Sequence, residues 1–329
     1  RKPTESGPTE TPCAPEAIVA ALKAAGATLV EKRDPVLLPK SRKNEAELAG
    51  MREAHLLDGV ALAKFLAWFD EAAPKGGLTE IGIVTALEAF RREEETCIDA
   101  SFDTISGSGP NGAIVHYRVT GKTDRVLNPG ELMLVDSGAQ YLSGTTDITR
   151  TLSTGKPSDE ERDRYTRVLK GMIAISMARF PKGTTGAQID VLARQFLWQA
   201  GVTYNHGTGH GVGAYLGVHE GPVGISSRYT IPFEVGNVIS NEPGYYKAGA
   251  YGIRTENLIT VVESPDFPGY LEFETLTLAP IDKRLIRKSL LSEAERAWLD
   301  TYHHRVWKEV GPRLKGKVKD WLKEATAAL

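Results

Sequence analysis

A spacing of 106 residues recurs along this chain and limits what it can fold into. Thr79, Ile83 and Phe90 reappear 106 positions on as Thr185, Ile189 and Phe196, and the same offset carries Asp136 to Glu242. Around each set runs the same order of signals. Asn44-Glu45-Ala46-Glu47 and Ser158-Asp159-Glu160-Glu161 are capping boxes, in which side chains at both ends of the first turn satisfy free backbone N–H groups. The first predicts a helix to about residue 73, carrying Leu48, Met51, Leu62, Phe65 and Phe69 and stopped by Pro74-Lys75-Gly76-Gly77. The second predicts a helix to about Phe180, stopped by Pro181-Lys182-Gly183. Thr79, and Thr185 with Gln188, cap the helices that follow, which carry Ile83, Leu87 and Phe90 in one case and Ile189 and Phe196 in the other. A helix-helix-strand unit repeated at fixed offset points to an internal duplication, and so to a fold with two equivalent halves.

β-rich sequence follows each helix pair. Residues 132–140 and 145–152 have strand composition and flank a short Gly-containing connection, as in a hairpin. If positions whose numbers sum to 283 oppose each other, Asp136 faces Asp147 at a Cβ separation of about 5 Å. In the second half, Val238-Ile239-Ser240-Asn241-Glu242 and residues 253–262 play the same parts, with Arg254 and Glu256 on one face of the latter strand. The mixed helix and strand content makes this an α/β (α+β) chain.

At the front, residues 1–15 are rich in Pro, Thr and Glu and read as a leader. A short helix over about 15–25, ended by Gly26, and a strand over 27–31 are too little to fold alone. Residues 1–39 are therefore expected to be this leader and the remnant of a preceding domain, and residues 40–329 a single domain. A helical extension over about 281–329 closes the chain. Ser292-Glu293-Ala294-Glu295 opens it, Trp298, Tyr302 and Trp307 follow at helical spacing, Gly311-Pro312 breaks it, and Val318, Trp321, Leu322 and Ala325 stripe a last helix. Lys315, Lys317, Lys319 and Lys323 read as its solvated face.

The charge balance narrows the function. Lys and Arg number 40 against 42 Asp and Glu, for a net charge of −2, so there is no basic excess to attract nucleic acid. No run of about 18 apolar residues predicts a membrane span. Arg1-Lys2-Pro3-Thr4 leads into no apolar stretch of the signal-peptide kind, and the absence of an initiating Met is read as a processed or truncated chain. Cys13 and Cys97 have no metal-ligand spacing and read as plain thiols of a reducing compartment, so a cytoplasmic location is expected.

Three of the seven histidines fall within His206-Gly207-Thr208-Gly209-His210-Gly211-Val212-Gly213 and the His219-Glu220-Gly221-Pro222 that follows. Asp136 ends the apolar run Leu132-Met133-Leu134-Val135, and Glu242 follows Val238-Ile239, so apolar sequence aims both carboxylates out of a core. A buried carboxylate costs several kcal/mol unless it is paired, hydrogen-bonded or bound to a cation. With Asp147, Glu256 and His210 in a Gly-rich turn, the candidate set is four carboxylates and one imidazole, whose charge two divalent ions balance. Such oxygen-rich donors favour Mn²⁺, Mg²⁺ or Fe²⁺, with Co²⁺ and Zn²⁺ also compatible. Two ions about 3.5–4 Å apart can share a hydroxide and polarise a carbonyl, which suits amide hydrolysis.

The ligand order Asp, Asp, His, Glu, Glu resembles that of the pita-bread metallopeptidases, the family of methionine aminopeptidase, prolidase and aminopeptidase P. The resemblance is specific in Ser101-Phe102-Asp103-Thr104-Ile105-Ser106-Gly107, Gly112-Ala113-Ile114-Val115-His116-Tyr117, Asp136-Ser137-Gly138-Ala139-Gln140-Tyr141, His206 to Gly213 and Glu242-Pro243-Gly244-Tyr245-Tyr246. With the tail Leu276-Thr277-Leu278-Ala279-Pro280-Ile281, these are similar to the cytosolic three-domain aminopeptidase P (Xaa-Pro aminopeptidase) type, from about Pro39 to the C-terminus. Thr255 in Arg254-Thr255-Glu256-Asn257 departs from the aliphatic residue common there.

The resemblance implies a pita-bread fold: two pseudo-symmetric halves around a curved antiparallel sheet, plus C-terminal helices. It implies a centre of two divalent ions, typically manganese, with Asp136 and Asp147 on one ion, His210 and Glu242 on the other, and Asp147 and Glu256 bridging. Glu242 would be the general base, acting on a hydroxide or water between the ions. His116, His206 and His219 would contact substrate and the developing oxyanion, and Tyr246 and Arg254 would stand behind them. His55, His303 and His304 are expected to be structural. The implied activity is metal-dependent release of the first residue from peptides with proline second, by a homodimer without nucleic-acid or membrane partners. The alternatives are a prolidase-type Xaa-Pro dipeptidase and a non-enzymatic peptide-binding module.

Overall fold

A computed structural model describes residues 15–30, 32 and 34–329. Residues 1–14, where most of the expected leader falls, and Glu31 and Arg33 lie outside the described residues. The chain enters through α1 (Glu16–Ala24), which buries no residue, and α2 (Leu37–Ser41). The first half proper begins with α3 (Glu45–Ala72), whose capping box forms as expected: Asn44 Oδ1 accepts from Glu47 N–H at 3.0 Å, and Glu47 accepts from Asn44 N–H at 2.9 Å. Met51, Leu62, Phe65 and Phe69 are buried along α3, and α4 (Glu80–Arg91), capped by Thr79, brings Ile83 and Leu87 against it.

Six strands complete this half: β1 (Cys97–Ala100), β2 (Ile105–Ser108), β3 (Leu132–Ser137), β4 (Ala139–Tyr141), β5 (Gly144–Thr145) and β6 (Ile148–Ser153). β2, β3 and β6 form an antiparallel sheet in that order, and β1, β4 and β5 a second, smaller one. The second half repeats the plan with α5 (Asp159–Ser176), β7 (Arg179–Pro181), α6 (Gly186–Trp198), β8 (Gly209–His210), β9 (Gly224–Ile225), β10 (Val238–Asn241), β11 (Gly244–Lys247), β12 (Tyr251–Arg254), β13 (Asn257–Glu263) and β14 (Tyr270–Thr275). Its main sheet is antiparallel in the order β10-β13-β14-β7. Thus β3, a small hairpin and β6 in one half answer β10, a small hairpin and β13 in the other. Two helices, α7 (Glu293–Val310) and α8 (Gly316–Ala325), follow, with Leu299, Tyr302, Val306 and Leu322 buried in the largest apolar cluster. No helix among the described residues is long and apolar enough to cross a membrane.

The structure corrects five expectations. The helix predicted to run to Phe180 ends at Ser176, because Phe180 pairs with Leu271 in the sheet and the residue before Pro181 is pushed toward extended backbone. No strand forms over 27–30. The strand predicted over 253–262 is interrupted at Thr255 and Glu256, where Glu256 N–H leaves its own ladder and donates to Thr149 O at 3.1 Å. The runs 132–140 and 145–152 are each divided, at Gly138 and at Thr146-Asp147. A Cβ at Gly138 would lie 2.0 Å from Thr146 O, so no other residue permits this approach.

The register also differs. The turn sits at Leu142 and Ser143, and Asp136 pairs with Thr149, not Asp147. Opposed numbers sum to 285 rather than 283, a slip of two. An even slip leaves the side chains of the paired strands on their predicted faces, and Asp147, just outside β6, still lies close enough to Asp136 for its carboxyl to feel that charge.

The halves and the C-terminal segment are tied together by Arg150 of β6, which is 3% exposed. Its guanidinium donates to Thr149 O and Glu256 O, to Asn257 Oδ1 on β13, to Ala279 O and Pro280 O, and to the Tyr302 hydroxyl of α7, at 2.6–3.1 Å. Arg150→Met should destabilise the protein by about 3–5 kcal/mol, because each buried acceptor left unpaired costs about 1–3 kcal/mol. Urea unfolding checks this, and a change below about 1 kcal/mol would contradict the clasp.

Candidate metal centre

The duplication delivers four carboxylates to one place. Asp136 lies near the end of β3 and Glu242 directly after β10; Asp147 directly precedes β6 and Glu256 directly precedes β13. The second pair is offset by 109 rather than 106, because three more residues separate Glu242 from Glu256 than separate Asp136 from Asp147. The fifth member, His210 on β8, comes from one half alone. Its backbone N–H donates to Ser240 Oγ at 2.9 Å, and that hydroxyl donates to Glu242 Oε1 at 3.1 Å, so one serine sets both residues.

One ligand atom each from Asp147, His210 and Glu256 lies within 4.8 Å of the others. His210 Nδ1 sits 3.0 Å from Gly211 O, which fixes its proton there and leaves the Nε2 lone pair aimed 3.4 Å from Asp147 Oδ2 and 3.5 Å from Glu242 Oε1. Glu256 Oε2 accepts from the Thr149 hydroxyl at 2.7 Å, and Asp136 Oδ2 from Arg254 at 2.6 Å. Asp136 Oδ1 is buried with no hydrogen-bond partner. Asp147 and Glu256 are 4% and 1% exposed.

Burial first, and then the charges of Asp136 and Glu242, push the Asp147 carboxyl well above the usual carboxylate range. Glu256 is driven the same way by burial and then by Asp147, Glu242 and Asp136. Glu242 is also raised by burial, with His210 and Arg254 pulling against it. An orphaned carboxylate oxygen, an imidazole with its lone pair turned inward and mutual carboxylate repulsion all fit a site for divalent cations, with hard oxygen donors in the majority.

A hydrogen-bonded chain backs the cluster. Arg254, 1% exposed, donates through Nη2 to Asp136 and through Nη1 to the Tyr246 hydroxyl at 2.6 Å. Tyr246 donates onward to His206 Nε2 at 2.8 Å, while His206 Nδ1 donates to Gly207 O at 2.8 Å. Both ring nitrogens of His206 are therefore engaged. Burial and then the Arg254 charge lower its pKa to about 3. The His219 ring stands edge-on to His210 at 4.0 Å between centroids, and burial, then His210 and His116, lower its pKa to about 4.

His116 is exposed in the loop after the 3-10 turn Gly109–Ala113, close enough to be felt by both other histidines. Buried Glu80 holds that loop through Ser108 N–H, Asn111 and the Tyr117 hydroxyl at 2.7–3.0 Å. The His219 loop is held by Glu220, paired with buried Lys43 at 2.6 Å. His55 and His303 are buried elsewhere, with Nδ1 on Met51 O and Nε2 accepting from Ile281 N–H, and His304 is exposed.

All five expected ligands thus converge, with His206, His219, Tyr246 and Arg254 against them and His116 at the rim. Sequence reasoning missed Ser240 and Thr149, whose hydroxyls donate to Glu242 and Glu256. Ser240 lies two residues before Glu242 and Thr149 two residues after Asp147, and a short hydroxyl side chain that close to a candidate carboxylate is the signal that could have found them.

Residues 49–263 match the family model for metallopeptidase family M24, and residues 269–329 match that for the C-terminal region of peptidase M24. The chain belongs to metallopeptidase family M24. It is 48% identical over 315 residues to a probable Xaa-Pro aminopeptidase P of Paracoccidioides brasiliensis (strain Pb03), covering 92% of this chain and 51% of that protein. Among solved structures it is similar to an X-prolyl aminopeptidase from Caenorhabditis elegans, described as a cytosolic enzyme with a di-nuclear active site, at a TM-score of 0.88 and 38% identity over 95% of this chain and 56% of the other. An Xaa-Pro dipeptidase from Bacillus anthracis matches with a TM-score of 0.70 and 28% identity over 82% of this M24 chain and 71% of its own. The two-half architecture is the pita-bread fold of these M24 enzymes. The chain spans about half the length of the curated relatives it matches.

The raised carboxyls carry a sign. In the metal-free chain Asp147 and Glu256 hold protons well above the usual range, stabilise the fold at low pH and lose that contribution as pH rises through their folded pKa values. A cation requires them ionised, so uptake of Mn²⁺ should release protons at pH values below their folded pKa values and tighten as pH rises through them. Calorimetry in buffers of different ionisation enthalpy reads the release directly; uptake without it would contradict this electrostatic picture.

Proposed function

We propose that this chain carries the catalytic part of a metal-dependent Xaa-Pro aminopeptidase, which releases the first residue from peptides with proline second. The observation that most supports this is the convergence of Asp136, Asp147, His210, Glu242 and Glu256, with the His219 ring edge-on to His210. Asp136, Asp147, His210, Glu242 and Glu256 are the residues that would hold the two divalent ions. Manganese is the proposed metal, since four of the five donors are carboxylates. When bound, the ions supply Lewis acidity and an activated water.

The chain's own groups do the rest. Glu242 is the general base: Ser240 holds its Oε1, and its carboxylate takes a proton from the attacking water and delivers it to the departing proline nitrogen. His219, neutral at pH 7, and His116 at the rim supply N–H groups to the developing oxyanion. His206, also neutral, sits at the substrate side and through Tyr246 fixes Arg254, which keeps Asp136 oriented.

An Xaa-Pro bond has no amide N–H and a fixed φ, so an enzyme that grips the N–H rejects it, while carbonyl-directed attack does not need it. The substrate's free amine is drawn by the cluster's carboxylates, which makes the activity that of an exopeptidase. Residues 40–329 form the catalytic unit in this proposal, with 281–329 as its helical extension and 1–39 the leader and the end of a preceding domain. The cytosolic description of the Caenorhabditis elegans relative supports a cytoplasmic location, and a homodimer is part of the proposal.

The likeness to an Xaa-Pro dipeptidase favours a second reading, cleavage of dipeptides alone. An Xaa-Pro-Pro tripeptide separates the two. Release of its first residue with Mn²⁺, lost on chelation, is expected of the aminopeptidase, whereas a strict dipeptidase leaves it intact. Asp147→Asn should lower kcat/KM by about 10³-fold or more, because metal polarisation is worth several kcal/mol and each 1.36 kcal/mol is about tenfold. No turnover of either peptide with Mn²⁺ present would leave only a peptide-binding module.

A further inference from the structure

Asp58 lies on α3, far from the cluster in sequence, and is buried with Arg91 of α4. Its Oδ1 accepts from Arg91 Nε at 2.8 Å and from the Tyr141 hydroxyl at 2.9 Å; its Oδ2 accepts from Arg91 Nη2 at 3.2 Å and from the Thr146 hydroxyl at 3.1 Å. The last contact is the informative one, because Thr146 is the residue before Asp147.

Every polar atom of Thr146 is committed. Its hydroxyl donates to Asp58 and accepts from Ala139 N–H at 3.1 Å, its own N–H donates to Ala139 O at 2.9 Å, and its carbonyl accepts from the Ser101 hydroxyl at 2.8 Å. That same carbonyl is the atom that excludes a Cβ at Gly138. The backbone leaves the hairpin and enters β6 at this point, so side-chain direction here follows no strand ladder. What fixes it is this set of bonds, drawn from α3, β4 and the segment after β1.

We infer that Thr146, anchored by the buried Asp58–Arg91 pair, is a positioning residue that sets the direction of Asp147 into the metal centre. The inference rests on Asp147 being a metal ligand, as proposed above. A freely rotating Asp147 would have to be ordered by each binding event, at a cost in affinity; a locked one is ordered before the ion arrives. Groups that orient ligands from behind change metal affinity about 10–100-fold when removed.

Thr146→Val keeps the volume and β-branching and removes only the hydroxyl. Tyr141→Phe removes a different donor from the same carboxylate and leaves the Thr146 bond in place. Calorimetric titration of the metal-free chain with Mn²⁺, together with thermal melts, compares both with the unsubstituted chain. The unsubstituted chain is expected to take two ions, Thr146→Val to bind about 10–100-fold more weakly, and Tyr141→Phe to lose melting temperature while binding within about threefold.

Equal losses of affinity in the two variants, or unaltered affinity in Thr146→Val, would overturn the inference. Should the valine variant fail to fold, Thr146→Ser decides the matter, since it keeps the hydroxyl: wild-type affinity supports positioning through that group and a tenfold loss refutes it. Failure of the unsubstituted chain to bind two ions would overturn the metal-site reading itself, a result distinct from any behaviour of the variants.

Discussion

Four carboxylates gathered beside one imidazole, out of contact with most solvent, set the terms for this structure. At about 4 Å, two like charges repel by about 4 kcal/mol at an effective dielectric constant of about 20. Arg254 offsets part of this at Asp136, but Asp136 Oδ1 has no partner and Asp147 and Glu256 stay driven toward protonation. Protonation relieves that repulsion in the metal-free chain, and divalent cations would relieve it with the carboxylates ionised. The duplicated scaffold bears the same signature: each half supplies one carboxylate at the end of an outgoing strand and one at the start of the returning strand. Only His210 breaks the symmetry, and it gives the site a nitrogen donor on one side.

The scaffold resists that repulsion by commitments made elsewhere. Arg150 binds the returning strand of the first half to the second half and to the C-terminal segment at once, so the strands carrying Asp147 and Glu256 cannot separate. Glu80 and Glu220, buried and partnered, hold the loops that present His116 and His219. The groups around the site are therefore held from several sides, the kind of preorganisation on which the proposed catalysis would draw.

Much of this was legible in the sequence, and the boundary is physical. Capping boxes at Asn44, Ser158 and Ser292 form as expected because their bonds lie within one turn and need no tertiary partner. Asp136 and Glu242 stand out because each follows an apolar run, and Asp147, His210 and Glu256 join them through the order of motifs that resembles the family's. The register of the first hairpin was not legible. A slip of two keeps every strand side chain on its face, so side-chain patterning does not tell the two registers apart, and the turn at Leu142 and Ser143 fixes the pairing. Phe180 was assigned to a helix because its reason for being a strand, Leu271, lies 91 residues away. The break at Thr255 and Glu256 likewise depends on Thr149 of the other half. The anchoring of Thr146 by Asp58 spans 88 residues and has no local trace at all.

Anomalous X-ray diffraction from a crystal of this chain grown with Mn²⁺, recorded at the manganese edge, tests the central claim most directly. The account predicts two peaks about 3.5–4 Å apart, both within bonding distance of Asp147 and Glu256, one also touching Asp136 and the other also touching His210 and Glu242. A single peak, or peaks remote from these five residues, would contradict it.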